Sequence, residues 1–260
     1  MFGFFFKQAI FSGCQNTDSG IGVYAGSVDS YDEFGDLLIP IIQDYHKYDL
    51  SRGHVSNMAP EDLIAPPLPP EDAAMIKSTR IRVGRNLAGL PLGPGLNREL
   101  RLKVEEKVVT ACNKFQGDLA GKYYSLGALS EADRKQLIED HFLFKEGDRF
   151  LEACGLNRDW PEGRGIFHNN DKTFLVWVNE EDQLRIISMQ QGADIGAVFE
   201  RLSRACQYIE REAKFSHKRE LGYITSCPTN LGTALRASVH IALPNLGQRK
   251  DEFQAIADQF

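Results

Sequence analysis

Residues 173–189, TFLVWVNEEDQLRIISM, constrain the fold more than any other stretch. Thr173 to Val178 and Leu184 to Met189 are almost wholly β-branched, aromatic or aliphatic, which is strand composition. Asn179, Glu180, Glu181, Asp182 and Gln183 lie between them. The pattern predicts two antiparallel strands joined by a tight acidic turn, with Arg185 re-entering the second strand shortly after Glu181. Taken alone, the tip reads as a solvated turn whose charges serve solubility. Hairpins of this kind favour an antiparallel sheet over a doubly wound parallel one.

Other arginines follow the same strand pattern. In Met75–Val83 (MIKSTRIRV), Arg80 and Arg82 are two apart, so a strand puts both on one face. Leu235–Leu243 (LRASVHIAL) alternates, with Arg236 and His240 sharing a face. Helical periodicity marks four further stretches. Ser30–His46 carries Phe34, Leu37, Leu38, Ile41 and Ile42 inward, and Ser30 with Glu33 fits a capping box. Gly95–Phe115 has a comparable stripe, Ser130 with Asp133 opens a third helix, and Ile195–Phe215 is strongly amphipathic. Leu221–Ser226 reads as a short strand, His168–Lys172 as a polar loop and Gln248–Phe260 as a polar helical tail. The proline-rich Ala65–Pro70 is predicted to lack regular structure and to serve as a linker. The order is helices, linker, then strands with intervening helices. It predicts an α+β fold, with a partial helical domain at 1–66 and a sheet domain at 67–260.

Composition narrows the function. A net charge of −6 without a long basic run argues against a nucleic-acid surface, yet leaves room for a few arginines around a small anion. The five cysteines are odd in number, scattered and lack any CxxC pair. That argues against a disulfide framework or zinc site and for a reducing compartment. No apolar run is long enough to span a bilayer. The greasy start, Met1 to Phe6, lacks the flanks of a signal peptide. Ser19-Gly20-Ile21-Gly22 is a loop whose glycines let backbone N–H groups converge on an anion.

Four stretches together are similar to one family. They are STRIRVGR (78–85), IEDHFLFKEGDRF (138–150), GRGIFHNNDKTFLVWVNEEDQLRIISMQ (163–190) and CPTNLGTALRASVHI (227–241). The sequence resembles the phosphagen kinases, or ATP:guanido phosphotransferases, over most of its length from about Phe11. Its loop SGCQNTDSGIGVYA and its Asp44-Tyr45-His46 are most similar to members acting on arginine. The resemblance implies a small helical N-terminal domain. It also implies a glutamine synthetase-like catalytic domain, an antiparallel sheet flanked by helices. The implied reaction is reversible transfer of the γ-phosphoryl group of MgATP to a guanidinium nitrogen. ATP or ADP would bring Mg²⁺ held mainly by its phosphates.

Residue by residue, Arg80, Arg82, Arg185 and Arg236 match the family's phosphate-gripping arginines, and His141 a residue beside the adenine. Arginine suits this role because its planar fork offers paired donors and keeps its charge. Glu181 matches the carboxylate facing the guanidinium, and Cys227 the cysteine beside it. Ser19, Gly20 and Ile21 match the loop that receives the amino-acid carboxylate, with Tyr24 next to it, and Tyr45 matches a position that varies with guanidino substrate. Asp18 and Arg149 are expected to pair across the domains. The resemblance further implies a cytoplasmic monomer or homodimer, with no nucleic-acid or membrane partner. Taurocyamine or another guanidino compound is the alternative acceptor. The family pattern continues past Phe260 with a second carboxylate, another arginine and a mobile loop. The corresponding expectation is a chain truncated at both ends that, alone, is inactive and at most binds nucleotide. Gln183 stands where the family usually has histidine, and Asn170-Asp171 inverts the usual order.

Overall fold

The computed structural model describes residues 4–64, 67–139, 142–144, 146 and 148–259. The N-terminal part holds α1 (Phe6–Gln15), α2 (Ser30–Glu33), α3 (Gly35–His46) and the short α4 (Pro70–Met75). The chain then enters β1 (Ile76–Arg85), α5 (Arg98–Cys112), β2 (Gly121–Ser125), α6 (Glu131–Glu139) and α7 (Arg149–Ala153). Next come β3 (Gly165–Asn169), β4 (Phe174–Val178), β5 (Leu184–Gln191) and α8 (Ile195–Glu212). Finally, β6 (His217–Lys218) and β7 (Gly222–Tyr223) pair with each other, followed by β8 (Leu235–Ile241) and α9 (Lys250–Ala257).

Six strands form one sheet in the order β2-β3-β4-β5-β1-β8, and every neighbouring pair is antiparallel. The two faces are covered differently, and this difference creates the site. One face is sealed by α5 and α8. Val104 and Val108 from α5, and Val198, Leu202 and Ile209 from α8, pack on Ile81, Val83, Val176, Val178 and Ile186. Each fully buried aliphatic side chain there contributes roughly 1.5–3 kcal/mol. The α8 stripe recurs at helical spacing, and Asp194 caps it by accepting from Ala197 N at 2.9 Å. On the opposite face, Ile166, Leu175, Trp177 and Ile187 are covered by Leu126, Leu143 and Phe144. That cover sits over β3, β4 and part of β5. The remainder of the face, toward β1 and β8, carries the arginines.

The N-terminal helices dock through a cluster in which Tyr31, Leu38 and Ile42 meet Leu92, Leu221, Ile224 and Leu231. Tyr31 donates from its hydroxyl to Thr225 O at 2.8 Å, and Ala25 N donates to Ser226 O at 2.8 Å.

Several local expectations change. The helix expected over 30–46 breaks at Phe34 (φ −111°, ψ 28°) and restarts as α3, with Pro40 inside it. Ser30 does not cap toward Glu33; it exchanges hydrogen bonds with Ser27, each hydroxyl accepting from the other's backbone N–H. Within the proline-rich stretch, Ala65 and Pro66 lie outside the described residues, while Pro70 opens α4 as its first residue. Pro suits that place because its missing N–H is not needed there. Met75 closes α4 rather than opening β1. His168 and Asn169 belong to β3, not to a loop. The strand expected over 221–226 shrinks to Gly222–Tyr223, because Ile224 N and Ser226 O pair with Ser216 O and Ala25 N instead. Ser130 and Asp133 do frame the start of α6.

Candidate active site

Strand register brings the arginines together. Arg82 lies opposite Arg236 across the β1–β8 pair, and Gly84 lies opposite Arg185 across β1–β5. Arg80 is two residues from Arg82. Cross-strand partners share a face and alternate residues along a strand share a face, so all four project from one side. A cleft of about 480 Å³ opens there, lined by Arg82, Arg185, Arg236, Tyr45, Asp182 and Asn230 among others. Glycine at 84 permits the close approach of the hairpin tip: a β-carbon there would lie 3.2 Å from Asp182 Oδ2.

The crowding has an electrostatic signature. Burial, then the positive charges of Arg82, Arg185 and Arg236, push the Arg80 guanidinium down to about 10. Arg82 is lowered by burial and by Arg185 and Arg236. Among the described residues, only Arg185 of the four has a carboxylate within ion-pair distance. Such a face is relieved by a polyanion.

The acidic tip is not a solvated turn, contrary to its reading in isolation. Asp182 and Gln183 are buried, and the Glu180 and Glu181 side chains are only 16% and 18% exposed. Side-chain hydrogen bonds lock it in place. Asn179, in the left-handed region (φ 57°), donates to Gly163 O at 2.7 Å and Arg101 O at 3.1 Å. Gln183 accepts from Leu87 N at 2.8 Å, and its amide donates to Pro91 O at 2.7 Å. Asp182 Oδ1 accepts from Asn86 Nδ2 at 2.8 Å and Ser226 N at 2.7 Å. Asp182 therefore ties the tip to the end of β1 and to the Cys227 segment. Burial raises its carboxyl above the ordinary aspartate value, against the pull of its hydrogen bonds from Asn86 and Ser226.

Arg185 donates to Glu181 at 2.8 Å and pairs with Glu180 at 3.0 Å. Asn230 Nδ2 donates to the other Glu181 oxygen at 3.3 Å. Burial, then the Asp182 carboxylate, raise the Glu181 carboxyl to about 7 against the opposing pull of Arg185. Cys227 packs in one small cluster with Tyr24, Cys154 and Leu156. Its sulfur lies 3.1 Å from Thr229 Oγ1, and burial pushes the thiol up to about 11, so it is protonated at neutral pH in this state.

The remaining expected residues divide. Tyr45 lines the cleft and meets the His46 ring edge-on at 5.0 Å. Ile21 packs against the cluster that contains Leu231, a cleft residue. Ser19 and Gly20 sit on the loop before it, and no hydrogen bond among the described residues ties them to Glu181 or Cys227. Asp18 and Arg149 are paired, as expected. His141 lies outside the described residues. Sequence reasoning missed Asp182, Asn230, Thr229 and Asn86. Asp182 had one signal, its place beside Glu181; Asn86 had none, because its partners are distant in sequence.

This geometry can be set beside known proteins. Residues 103–260 match the family model "ATP:guanido phosphotransferase, C-terminal catalytic domain", and residues 1–43 match "ATP:guanido phosphotransferase, N-terminal domain". An arginine kinase of Anthopleura japonica is 56% identical over 245 residues, covering 94% of this chain and 34% of that protein. An arginine kinase of Schistocerca americana is 48% identical over 261 residues, covering 100% of this chain and 73% of that protein. Among solved structures, a lombricine kinase superposes with a TM-score of 0.89 at 38% identity, covering 95% of this chain and 69% of that one. A duplicated taurocyamine kinase of Schistosoma mansoni gives 0.88 at 40%, covering 95% and 34%. The chain thus spans about a third of the duplicated taurocyamine kinase and of the Anthopleura protein. The arginine-lined sheet face, the buried acidic hairpin and both family matches agree: the chain belongs to the ATP:guanido phosphotransferase, or phosphagen kinase, family.

Proposed function

We propose that this protein transfers the γ-phosphoryl group reversibly between MgATP and the guanidinium of arginine. The observation that carries the reading is the register that gathers Arg80, Arg82, Arg185 and Arg236 on one face, with Arg185 joined to Glu181. The arginine kinases, at 48–56% identity, support arginine over taurocyamine or lombricine as acceptor.

Arg80, Arg82 and Arg236 would grip the phosphate oxygens, and Arg185 would share itself between phosphate and Glu181. Phosphoryl transfer asks chiefly for positioning and charge neutralisation, and a sheet holds guanidinium forks more rigidly than loops do. Pre-alignment of two substrates supplies up to roughly 7–11 kcal/mol of barrier lowering. Glu181 would fix the plane of the acceptor guanidinium and take the departing proton. Its raised carboxyl is poised near neutral pH, where a general base is most effective. A bound guanidinium would stabilise the ionised form. Asn230 holds the second Glu181 oxygen in place. Cys227 and Tyr24 would line the acceptor end, Ser19, Gly20 and Ile21 would receive the acceptor's own carboxylate, and Tyr45 would select its length. Magnesium arriving with the nucleotide would neutralise phosphate charge. We assign His141 to the adenine by the resemblance alone. No helix among the described residues is long and apolar enough to cross a membrane. We further propose a cytoplasmic monomer or homodimer, with its domain boundary in the proline-rich linker.

Phosphorus NMR of the purified chain with MgATP and arginine tests this. A phosphoarginine resonance that disappears in Glu181→Gln supports the reading. MgADP binding without any transfer would overturn it for this chain and bear out instead the expectation of an inactive chain that at most binds nucleotide.

A further inference from the structure

Beside the arginine cleft lies a second cavity of about 310 Å³, between the end of α3, the 48–55 segment and residues 220–232. Two residues, His46 and Leu231, line both spaces and form the wall between them. The chemistry of the two is opposite. The cleft is polar and cationic. The second cavity is walled by Ile42, Leu50, Val55 and Leu221, and among the described residues its lining includes one carboxylate, Glu220, and no lysine or arginine. His54 reaches in so closely that a β-carbon on Gly232 would lie 2.8 Å from its Nε2, and Gly232 sits at φ 91°, where glycine is favoured. Burial, then the neighbouring His217 and His46, lower the His54 imidazole, so it is neutral at pH 7. Tyr48 turns its hydroxyl to Gly53 O at 2.8 Å and leaves its ring as apolar surface. Arg219 lies against Gly53, outside the lining.

We propose that this cavity is a second binding site, for a small aromatic or branched amine, whose occupancy changes ligand affinity in the arginine cleft. Apolar walls with a few convergent polar groups at the junction of two parts of a chain are the usual make-up of a small-molecule site. A cationic end finds the Glu220 carboxylate and a neutral imidazole. An anionic end finds a carboxylate of like charge and no cation in the lining. The coupling route is short. His46 Nε2 bonds Pro228 O at 2.9 Å, at the start of the turn that carries Thr229 and Asn230. Those residues touch Cys227 and Glu181. A ligand pressing on His46 or Leu231 therefore bears on both acceptor-side groups, and the effect is reciprocal by linkage. The site itself is independent of the proposed reaction; only the coupling rests on it.

The test is titration of the full chain with phenethylamine, followed by amide NMR. Saturable shifts at Gly53, Leu221 and Gly232 are expected. 3-Phenylpropanoate should bind at least tenfold more weakly than the amine. Leu50→Trp fills the cavity and should abolish the shifts. Glu220→Gln, at an exposed position, should weaken the amine about fivefold with the fold intact. Calorimetry should give an arginine affinity, measured with MgADP present, changed at least twofold by saturating amine. Shifts confined to the arginine cleft, equal binding of amine and acid, or no saturable shift would each overturn the site. Shifts at the cavity with arginine affinity unchanged would overturn the coupling. A chain that binds the amine there but never MgADP would sink the kinase reading and leave the site standing.

Discussion

Replacing Arg80 with methionine should make the protein more stable and worse at binding nucleotide. Arg80 stands on the sheet face with Arg82, Arg185 and Arg236, and burial and their charges push its guanidinium down to about 10, well below the ordinary arginine value. At pH 7 the group is charged in both the folded and the unfolded chain, so the whole penalty acts on the folded state. At 1.36 kcal/mol per tenfold, that difference is about 3 kcal/mol before screening. Arg80 is half-buried, so solvent screening reduces the usable part to about 1 kcal/mol. Methionine keeps most of the aliphatic stem and removes the charge. The expected gain is about 1 kcal/mol in urea denaturation, or roughly 2–4 °C in Tm. Losing one charge-assisted grip on phosphate should weaken MgADP about 10- to 100-fold. Saturating MgADP should then stabilise the parent chain more than the variant, because binding stabilises by mass action. A variant less stable than its parent, or one with unchanged MgADP affinity, would refute the view that this face is strained for an anion.

Three further outcomes follow from the same contacts. The Glu181 carboxyl is raised from 4.5 to about 7, so between those values the folded chain holds the extra proton and stability falls as pH rises. Urea midpoints at pH 5 and pH 8 should show that slope in the parent and a smaller one in Glu181→Gln, where the raised Asp182 carboxyl still contributes, while arginine affinity should rise through about pH 7 only in the parent. Asp182→Ala leaves one of the two Asn86 Nδ2 hydrogens and the Ser226 N–H without an acceptor and should cost about 2–3 kcal/mol in urea denaturation; MgADP affinity should fall too, since the hairpin tip loses its tie. Arg101 is buried and paired with Asp159 at 2.8 Å, so Asp159→Ala strands its charge and should cost about 3 kcal/mol by thermal or urea melts, whereas Arg98→Ala, at an exposed pair, should change stability by less than about 1 kcal/mol.

Period-two patterning was legible wherever a strand had one buried face. Arg80 and Arg82 shared a face as soon as their spacing was read, and β1 alternates in burial as that reading requires. The α8 stripe was equally plain, because its inward residues recur at helical spacing. The division of 30–46 into two helices was not legible, since periodicity runs through Phe34 while the backbone turns there. Nor was the brevity of β7, whose apolar neighbours are used to dock the N-terminal helices rather than to extend a ladder.

Local composition and alternation, read along the chain, were enough to establish β1, β4, β5, β8, α5, α8, the hairpin and the family resemblance, but not α1, α7, β2 or β3. They act between near neighbours, and the family motifs are contiguous. Tertiary structure alone decided that the acidic tip is buried, because its hydrogen-bond partners Leu87, Pro91, Asn86 and Ser226 come from elsewhere in the chain. It also decided that Arg82 faces Arg236 and that Gly84 faces Arg185, since register is set by strand pairing across 100 residues or more of intervening chain. The raised Glu181 carboxyl and the lowered Arg80 guanidinium follow from that burial and crowding, and no single stretch of sequence contains either.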